Sequence, residues 1–504
     1  MKETVHTKWI VTGLLLAMLT AAMDNTIVVT AMGTIVGDLG GLDSFIWIVS
    51  AYMVASMAGM PIFGKLSDMY GRKRFFIFGL VLFMIGSALC GTASSILELG
   101  IYRAIQGIGG GALIPIAFTI VFDIFPPEKR GKMGGLFGAV FGFSSIFGPL
   151  LGAYITDYIS WHWVFYINLP IGCVSLLLVS MFYKESPIHS KQKVDWGGAV
   201  TLVGAVVSLM FALELGGQKY AWDSAVIISL FGVFIVLLGL FLWIEPKVRE
   251  PIIAFSMFSN RLFAGSTLVG LFYGIAFMAA TVYIPIFVQG VYGGSATNSG
   301  LILLPMMLGS VISAQVGGFL IPRMSYRNIM VLSGILLLAG FSLLSTLSPS
   351  TPRLLLTLYM IVTGVGVGFS FSVLSNASIH HFDVRQRGSA TSTYNFIRSL
   401  GMTLGITIFG TIQRSDLTQQ LASLFKGMKG FSGASGNSQN LLSEKARAMI
   451  PAPILEKITT ALSDSIAHIF LWALVPSVLA FLFIFMMGTE RAVRLKSKGV
   501  EKAT

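Results

Sequence analysis

Cysteine is nearly absent. Only Cys90 and Cys173 occur in 504 residues, and both fall in apolar runs. That excludes a disulfide framework and a thiolate metal cluster and leaves two thiols expected to be buried. Charge is scarce as well: Asp, Glu, Lys and Arg make up 11% of the chain, against about 25% in soluble domains. With 55% hydrophobic residues and a mean hydropathy of +0.81, the soluble multidomain protein that this length would suggest is excluded. Acid is scarcer than base, 22 residues against 34, for a net charge of +12. The basic residues sit in short segments between apolar runs, so they read as membrane topology and exclude nucleic acid as a partner. No Walker pattern occurs, and no segment facing the cytoplasm has room for a soluble ATPase domain. ATP is therefore excluded as the energy source, leaving an ion gradient or the substrate itself. No nucleophile or metal cluster gathers at one depth, which argues against an enzyme. Met1 to Lys8 is short and basic like a signal peptide, but the apolar run from Trp9 continues past Asp24 to Ile35 without a small-residue cleavage pattern. It reads as a retained first helix.

Long apolar runs are what the chain has in abundance. Fourteen are visible, at about 9–30, 46–63, 75–93, 97–121, 133–155, 163–183, 196–215, 225–244, 262–288, 299–321, 328–347, 353–376, 389–412 and 466–487. Nearly all are of a length that crosses a lipid bilayer as a helix. Lys and Arg collect in alternate connections, while the short ones on the opposite side hold only Lys219 and Arg353. This asymmetry predicts a multi-pass protein with both termini in the cytoplasm. The exception is 414–465, Gly/Ser/Asn-rich around 430–440 and then helix-like with Pro451 and Pro453 interrupting. It is expected to be an extracellular loop acting as a spacer or cap.

The stretch from Gly64 to Arg74 is the most distinctive connection. Its cations Lys65, Arg72, Lys73 and Arg74 surround Asp68, and Gly71 gives the chain room to turn. Asp68 and Arg72 are four apart and share a face if the preceding helix continues. The stretch has a twin at Gly318–Arg327, 254 residues on, and Arg130-Gly131 has one at Arg387-Gly388, 257 residues on. Two landmarks with nearly one offset predict an all-α fold of two six-helix halves, residues 1–190 and 251–504. A two-helix insert at 191–250 separates them, giving a 6+2+6 order. Paired halves suit transporters that rock around a central site. The twin has Pro322 for Asp68 and Tyr326 for Arg72, so the charged set belongs to the first half. Asp68 and Arg72 are expected to latch the halves together at the cytoplasmic face, against a helix N-terminus of the second half.

Three charges lie inside apolar runs, where they persist when paired or functional: Asp24, Arg103 and Arg398. From the helix rise, Asp24 and Arg103 both stand about 21–22 Å above the cytoplasmic edge of a core about 30 Å thick. They are expected to interact, with Asp24 carrying a transport proton. Arg398 would attract anionic groups or hold a structural network with Asn395 and Ser399; Glu214 is a second proton candidate. Gly148, Pro149 and Gly152 suggest either a hinge between halves or close packing. Met53, Met57, Phe143, Phe277, Tyr283, Tyr394 and Arg398 are candidates for a substrate cavity, since methionine-rich and aromatic faces adapt to varied ligands.

On these residues the chain resembles the major facilitator superfamily, and within it the 14-spanner drug:proton antiporters. Gly64–Arg74 is similar to the superfamily's signature between helices 2 and 3. Arg103 with Gln106 and Gly107 resembles its helix-4 motif, and Gly148-Pro149 with Gly152 its helix-5 exporter motif. Ser144 and Ala153 depart from that last motif. Asp24–Val28, Trp161–Gly172 and Tyr283-Ile284-Pro285 with Gln289 resemble strings of the 14-spanner branch. The resemblance implies a proton-driven exporter of amphipathic, chemically varied drugs in a bacterial cytoplasmic membrane. It would need no cofactor beyond the proton gradient and would work as a monomer. No acid lies in helices 10–13, which argues against a preference for dications. The alternatives are an exporter of one metabolite or antibiotic, and a membrane sensor that does not transport.

Overall fold

The structure, a computed structural model, describes residues 2–39, 46–185, 195–217, 219–293, 296–424 and 451–491. Among them the chain is helical: α1 Lys2–Leu39, α2 Ile46–Tyr70, α3 Arg72–Cys90, α4 Ile96–Ile124 and α5 Pro127–Tyr158 come first. A single turn, α6 Trp163–Tyr166, runs into α7 Asn168–Phe182. The pair α8 Trp196–Leu215 and α9 Ala225–Ile244 follows. The chain ends with α10 Arg261–Gly290, α11 Ala296–Leu320, α12 Tyr326–Leu344, α13 Arg353–Ile379, α14 Arg387–Leu424 and α15 Ala452–Ile484. Starts are set by short polar caps. Ser95, Asp195, Ser224, Asn260 and Ser325 accept from backbone amides in the first turns of α4, α8, α9, α10 and α12.

Thirteen of these helical segments are long and apolar enough to cross a membrane. The exception is α14, expected to be a span at 389–412 but too polar to qualify. It packs against α2, α4, α10 and α15, and Ser389 to Tyr394, buried in protein, can therefore be polar. At the other extreme α9 turns Ile235, Val236, Leu240 and Trp243 outward, as a helix facing hydrocarbon does. Cys173 is exposed on α7. This corrects the expectation of two buried thiols: in a bilayer protein an apolar run has a lipid-facing side.

Two connections differ from expectation. Nearly all of Gly64–Arg74 is helix: α2 runs to Tyr70, α3 begins at Arg72, and Gly71 alone separates them at φ 111°. A glycine at positive φ reverses the chain in one residue. At the far end, α14 continues to Leu424 and α15 starts at Ala452, so much of 414–465 is helix extension. His468 on α15 meets Asp416 on α14 at 2.9 Å, which ties the extensions together. Pro451 and Pro453 begin α15 rather than interrupt a helix, because proline's missing N–H costs nothing in a first turn. The Gly/Ser/Asn-rich 430–440 stretch, the boundary at 190/191 and the basic tail beyond Arg491 lie outside the described residues.

Helices α2, α3 and α4 pack together, and α1 packs on α5 and α7; α11, α12 and α13 repeat the first arrangement, and α10 packs on α14 and α15. The two groups meet through α5 with α11 and α2 with α14, while α8 lies against α2. Close glycine contacts carry the sequence repeat into three dimensions. Gly86 presses on Gln106 and Gly340 on Thr363; Gly107 meets the Tyr52 carbonyl and Gly364 that of Met306; Gly111 meets Ser56 and Gly368 meets Ser310. The offsets are 254 residues on α2–α3 and 257 on α4, the same two that the sequence landmarks give.

Candidate coupling site and the seam at the basic end

Asp24 on α1 and Arg103 on α4 form a salt bridge with both side chains fully buried. Neutral donors surround it. Gln106 Nε2 donates to Asp24 Oδ1 at 2.8 Å and Asn168 Nδ2 to the same oxygen at 2.9 Å. Gln106 Oε1 in turn accepts from Arg103 Nη1 at 2.7 Å. Ser87 on α3 accepts from both amides and donates to the Phe165 carbonyl. Arg103 Nε donates to the Ile48 carbonyl at 3.0 Å, and its guanidinium lies 4.3 Å from the Tyr52 ring centroid. Thus α1, α2, α3, α4 and α7 all feed one buried ionic cluster. A carboxylate is acceptor only, so Asp24 receives three donors without competition. Were Asp24 protonated, one oxygen would become a donor in a cage built of donors, and the cage would have to rearrange.

Among the described residues the second group has no equivalent pair. At the repeat offsets Met360 stands for Arg103, Thr363 for Gln106 and Met306 for Tyr52.

The end of the bundle that carries Lys65–Arg74 holds a second cluster. Asp68 Oδ1 accepts from the Gly388 amide at 2.9 Å and Asp68 Oδ2 from the Ser389 amide at 2.7 Å, at the N-terminus of α14. Unsatisfied amides and the helix dipole make that terminus a carboxylate site. Arg72 holds Asp68 at 3.2 Å, donates to the Val384 carbonyl at 2.5 Å and pairs with Asp123, which also takes Arg387 at 3.3 Å. Glu185, just past α7, accepts the Arg72 and Lys73 amides at 2.9 Å each, and Lys73 Nζ reaches the Ser180 carbonyl. Gly64 and Gly388 lie against each other, where a Cβ on Gly64 would strike Ser392 and one on Gly388 would strike Asp68. Arg74 is exposed.

The other sequence candidates separate. Gly148 and Gly152 press on Thr26, Ile27 and Thr30 of α1. In this state they serve close packing inside the first group, one of the two readings that the sequence offers. No hydrogen bond joins Arg398 to Asn395 among the described residues; Asn395 Nδ2 donates to the Thr391 carbonyl. Its guanidinium lies 4.1 Å from the centroid of Phe371 on α13, the ring on which Phe141 and Phe277 also pack. Phe143 stacks on Phe147 at 4.0 Å and is 44% exposed, and Met53 is half-buried. Met57, Tyr283 and Tyr394 are buried in helix seams, Met57 under Thr403 and Tyr394 against Gly270. Phe371, Ser87 and Glu185 carry geometry that the sequence does not single out, and Asn168 has a partner that the string Trp161–Gly172 does not reveal.

A bundle of membrane-length helices, with a repeat and an ionic cluster in one copy, defines a polytopic transporter. The family model described as Major Facilitator Superfamily matches residues 14–406, and the chain belongs to that family. It is 57% identical over 506 residues to Multidrug resistance protein 3 of Bacillus subtilis, covering 99% of each chain. It is 36% identical over 514 residues to Multidrug transporter protein MdtP of the same organism, covering 98% of this chain and 94% of that one. Among solved structures, the fold matches the proton:xylose symporter XylE (TM-score 0.62, 15% identity, 98% of each chain). It also matches the human organic anion transporter MFSD10 (TM-score 0.59, 17% identity, 95% of this chain and 99% of that one).

Proposed function

We propose that this protein exports chemically varied amphipathic drugs across a bacterial cytoplasmic membrane in exchange for protons, by alternating access. The fully buried Asp24–Arg103 pair, present in one group of helices and absent from the described residues of its twin, carries this reading. In one state Asp24 is ionised and held by Arg103, Gln106 and Asn168. A proton taken up from outside neutralises it, frees the cage to rearrange and leaves to the cytoplasm after the switch. No cofactor takes part, and one chain suffices. Likeness to multidrug proteins over nearly the full length supports drugs as the cargo.

The reading includes fourteen spans in a 6+2+6 order, residues 1–190, 191–250 and 251–504, with α14 as the polar span. Both termini and the Lys65–Arg74 end face the cytoplasm, as the distribution of Lys and Arg supports. Asp68 and Arg72 then latch the cytoplasmic side shut, and the aromatic face around Phe371 and Arg398 belongs to the drug path.

Everted membrane vesicles energised with a pH gradient and scanned with dyes and drugs test this. Several unrelated compounds should each collapse part of the gradient. Release by a single compound would replace the reading with a specific exporter, and no release from folded protein would overturn it.

A further inference from the structure

The transport reading leaves unused a pair of buried acids on the α8–α9 insert. Asp195, the cap of α8, gives Oδ1 to the Gly198 amide at 2.8 Å. Glu245, at the end of α9, gives Oε1 to the Ile253 amide at 2.7 Å. Their other oxygens, Asp195 Oδ2 and Glu245 Oε2, are buried without a hydrogen-bond partner among the described residues. Both oxygens crowd the one place that a Cβ on Gly198 would take. The residues are 7% and 1% exposed.

Two ionised carboxylates facing each other away from water repel and leave lone pairs unsatisfied. One proton between them removes both costs, since one acid donates and the other accepts. A hard divalent cation fits less well, because it takes about six to eight oxygens and the pair offers two. Among the described residues, three of the charged groups on neighbouring elements are engaged elsewhere. Glu250 pairs with Lys65 of α2 at 2.5 Å, Lys247 lies 3.4 Å from the Trp243 ring centroid, and Arg387 of α14 pairs with Asp123. Arg249 completes the charged residues between α9 and α10.

We infer that Asp195 and Glu245 hold one proton between them, a second proton site that fastens the 245–260 connection to the insert. That connection reaches the seam at the basic end. Ile252 and Ile253 are buried in the apolar cluster of α2 and α8, and the Ile252 carbonyl accepts from Ser389 Oγ at 3.1 Å. Ser389 is the residue whose amide holds Asp68. Loss of the shared proton parts the acids, loosens Glu245 from Ile253 and weakens the support behind Ser389. The site holds its proton whatever the protein carries.

Infrared difference spectra of the full chain in lipid nanodiscs, stepped from mildly acidic to alkaline pH, test the inference. Wild type should lose a carboxylic-acid carbonyl band as pH rises. The band should be missing from both Asp195→Asn and Glu245→Gln, because an amide donor then supplies the hydrogen bond the proton supplied, and it should remain in Asp24→Asn. Gly198→Ala keeps both acids but sets a methyl group where their oxygens meet, so the band should shift or vanish; this variant decides the matter if either single substitution fails to fold. A band unchanged in all three variants would overturn the shared proton. So would its removal by Ca²⁺ or Mg²⁺ at fixed acidic pH, which would make the pair a metal site.

Discussion

Asp24 is held by a cage in which only Arg103 is charged, and that sets what its removal does. Asp24→Asn preserves shape and leaves the Arg103 cation buried without its anion. Breaking a buried pair costs about 3–5 kcal/mol when nothing else answers the charge. Here the Ile48 carbonyl, Gln106 Oε1 and the Tyr52 ring remain, so the loss should fall below that range and the protein should stay folded. Drug-driven proton movement in vesicles should disappear, while drug binding to purified protein persists. Gradient-driven exchange at the wild-type rate would remove Asp24 from the proton path. A conservative change at the other partner is also informative. Arg103→Lys keeps the charge but cannot reach Asp24, Gln106 and Ile48 together, because an ammonium lacks the planar fork. Turnover should drop at least tenfold in the same vesicle assay, with expression unchanged.

At the level of the helices, the repeat supplies its own control. Gly107 and Gly364 occupy equivalent positions, each against a carbonyl of the neighbouring helix. Alanine at either should cost about 1–3 kcal/mol of overpacking, lowering both unfolding midpoints by similar amounts. Only Gly107→Ala also pushes on Tyr52, the ring beneath Arg103, so efflux per folded molecule should fall further there than in Gly364→Ala; equal losses would refute the asymmetry. The contact of Asp24 with Arg103 is readable from sequence, because charges in apolar runs are rare and helix rise sets their depth. Asn168 and Ser87 are not, because a neutral polar residue in a span is common and carries no pairing signal. Asp123, Glu185 and Arg387 escape for another reason: at helix ends charges are ordinary, and only the folded chain brings three ends together. The repeat offsets carry the helix pairing, whereas the polar span α14 departs from the hydropathy pattern because its first turns are buried in protein. Proline misleads in the 414–465 stretch, since it begins a helix as readily as it breaks one.

For the whole molecule, the two groups touch at the basic end through Asp68 and the start of α14, and this contact must break if that end is to open. Hydrogen bonds to a charged group contribute about 1.5–3 kcal/mol each, and Asp68 accepts two from α14. Asp68→Asn removes the charge and turns one acceptor into a donor facing an amide. A loss of about 1.4–2.7 kcal/mol moves the balance between closed and open forms about 10- to 100-fold toward open. Transport needs both forms, so turnover should fall although drug still binds. Spin labels at Arg74→Cys and Arg323→Cys, both exposed in the native chain, with Cys173→Ser to silence the exposed native thiol, report the separation of the groups. The distance distribution should gain a longer component in Asp68→Asn. Gly388→Ala should give the same component by a different route, since its methyl group displaces the Asp68 carboxylate sterically while keeping its charge. Agreement between an electrostatic and a steric change would identify the contact itself, rather than the aspartate's charge, as what keeps this end shut. Unchanged distances in both would leave Gly64–Arg74 as a tight helical turn with no part in switching.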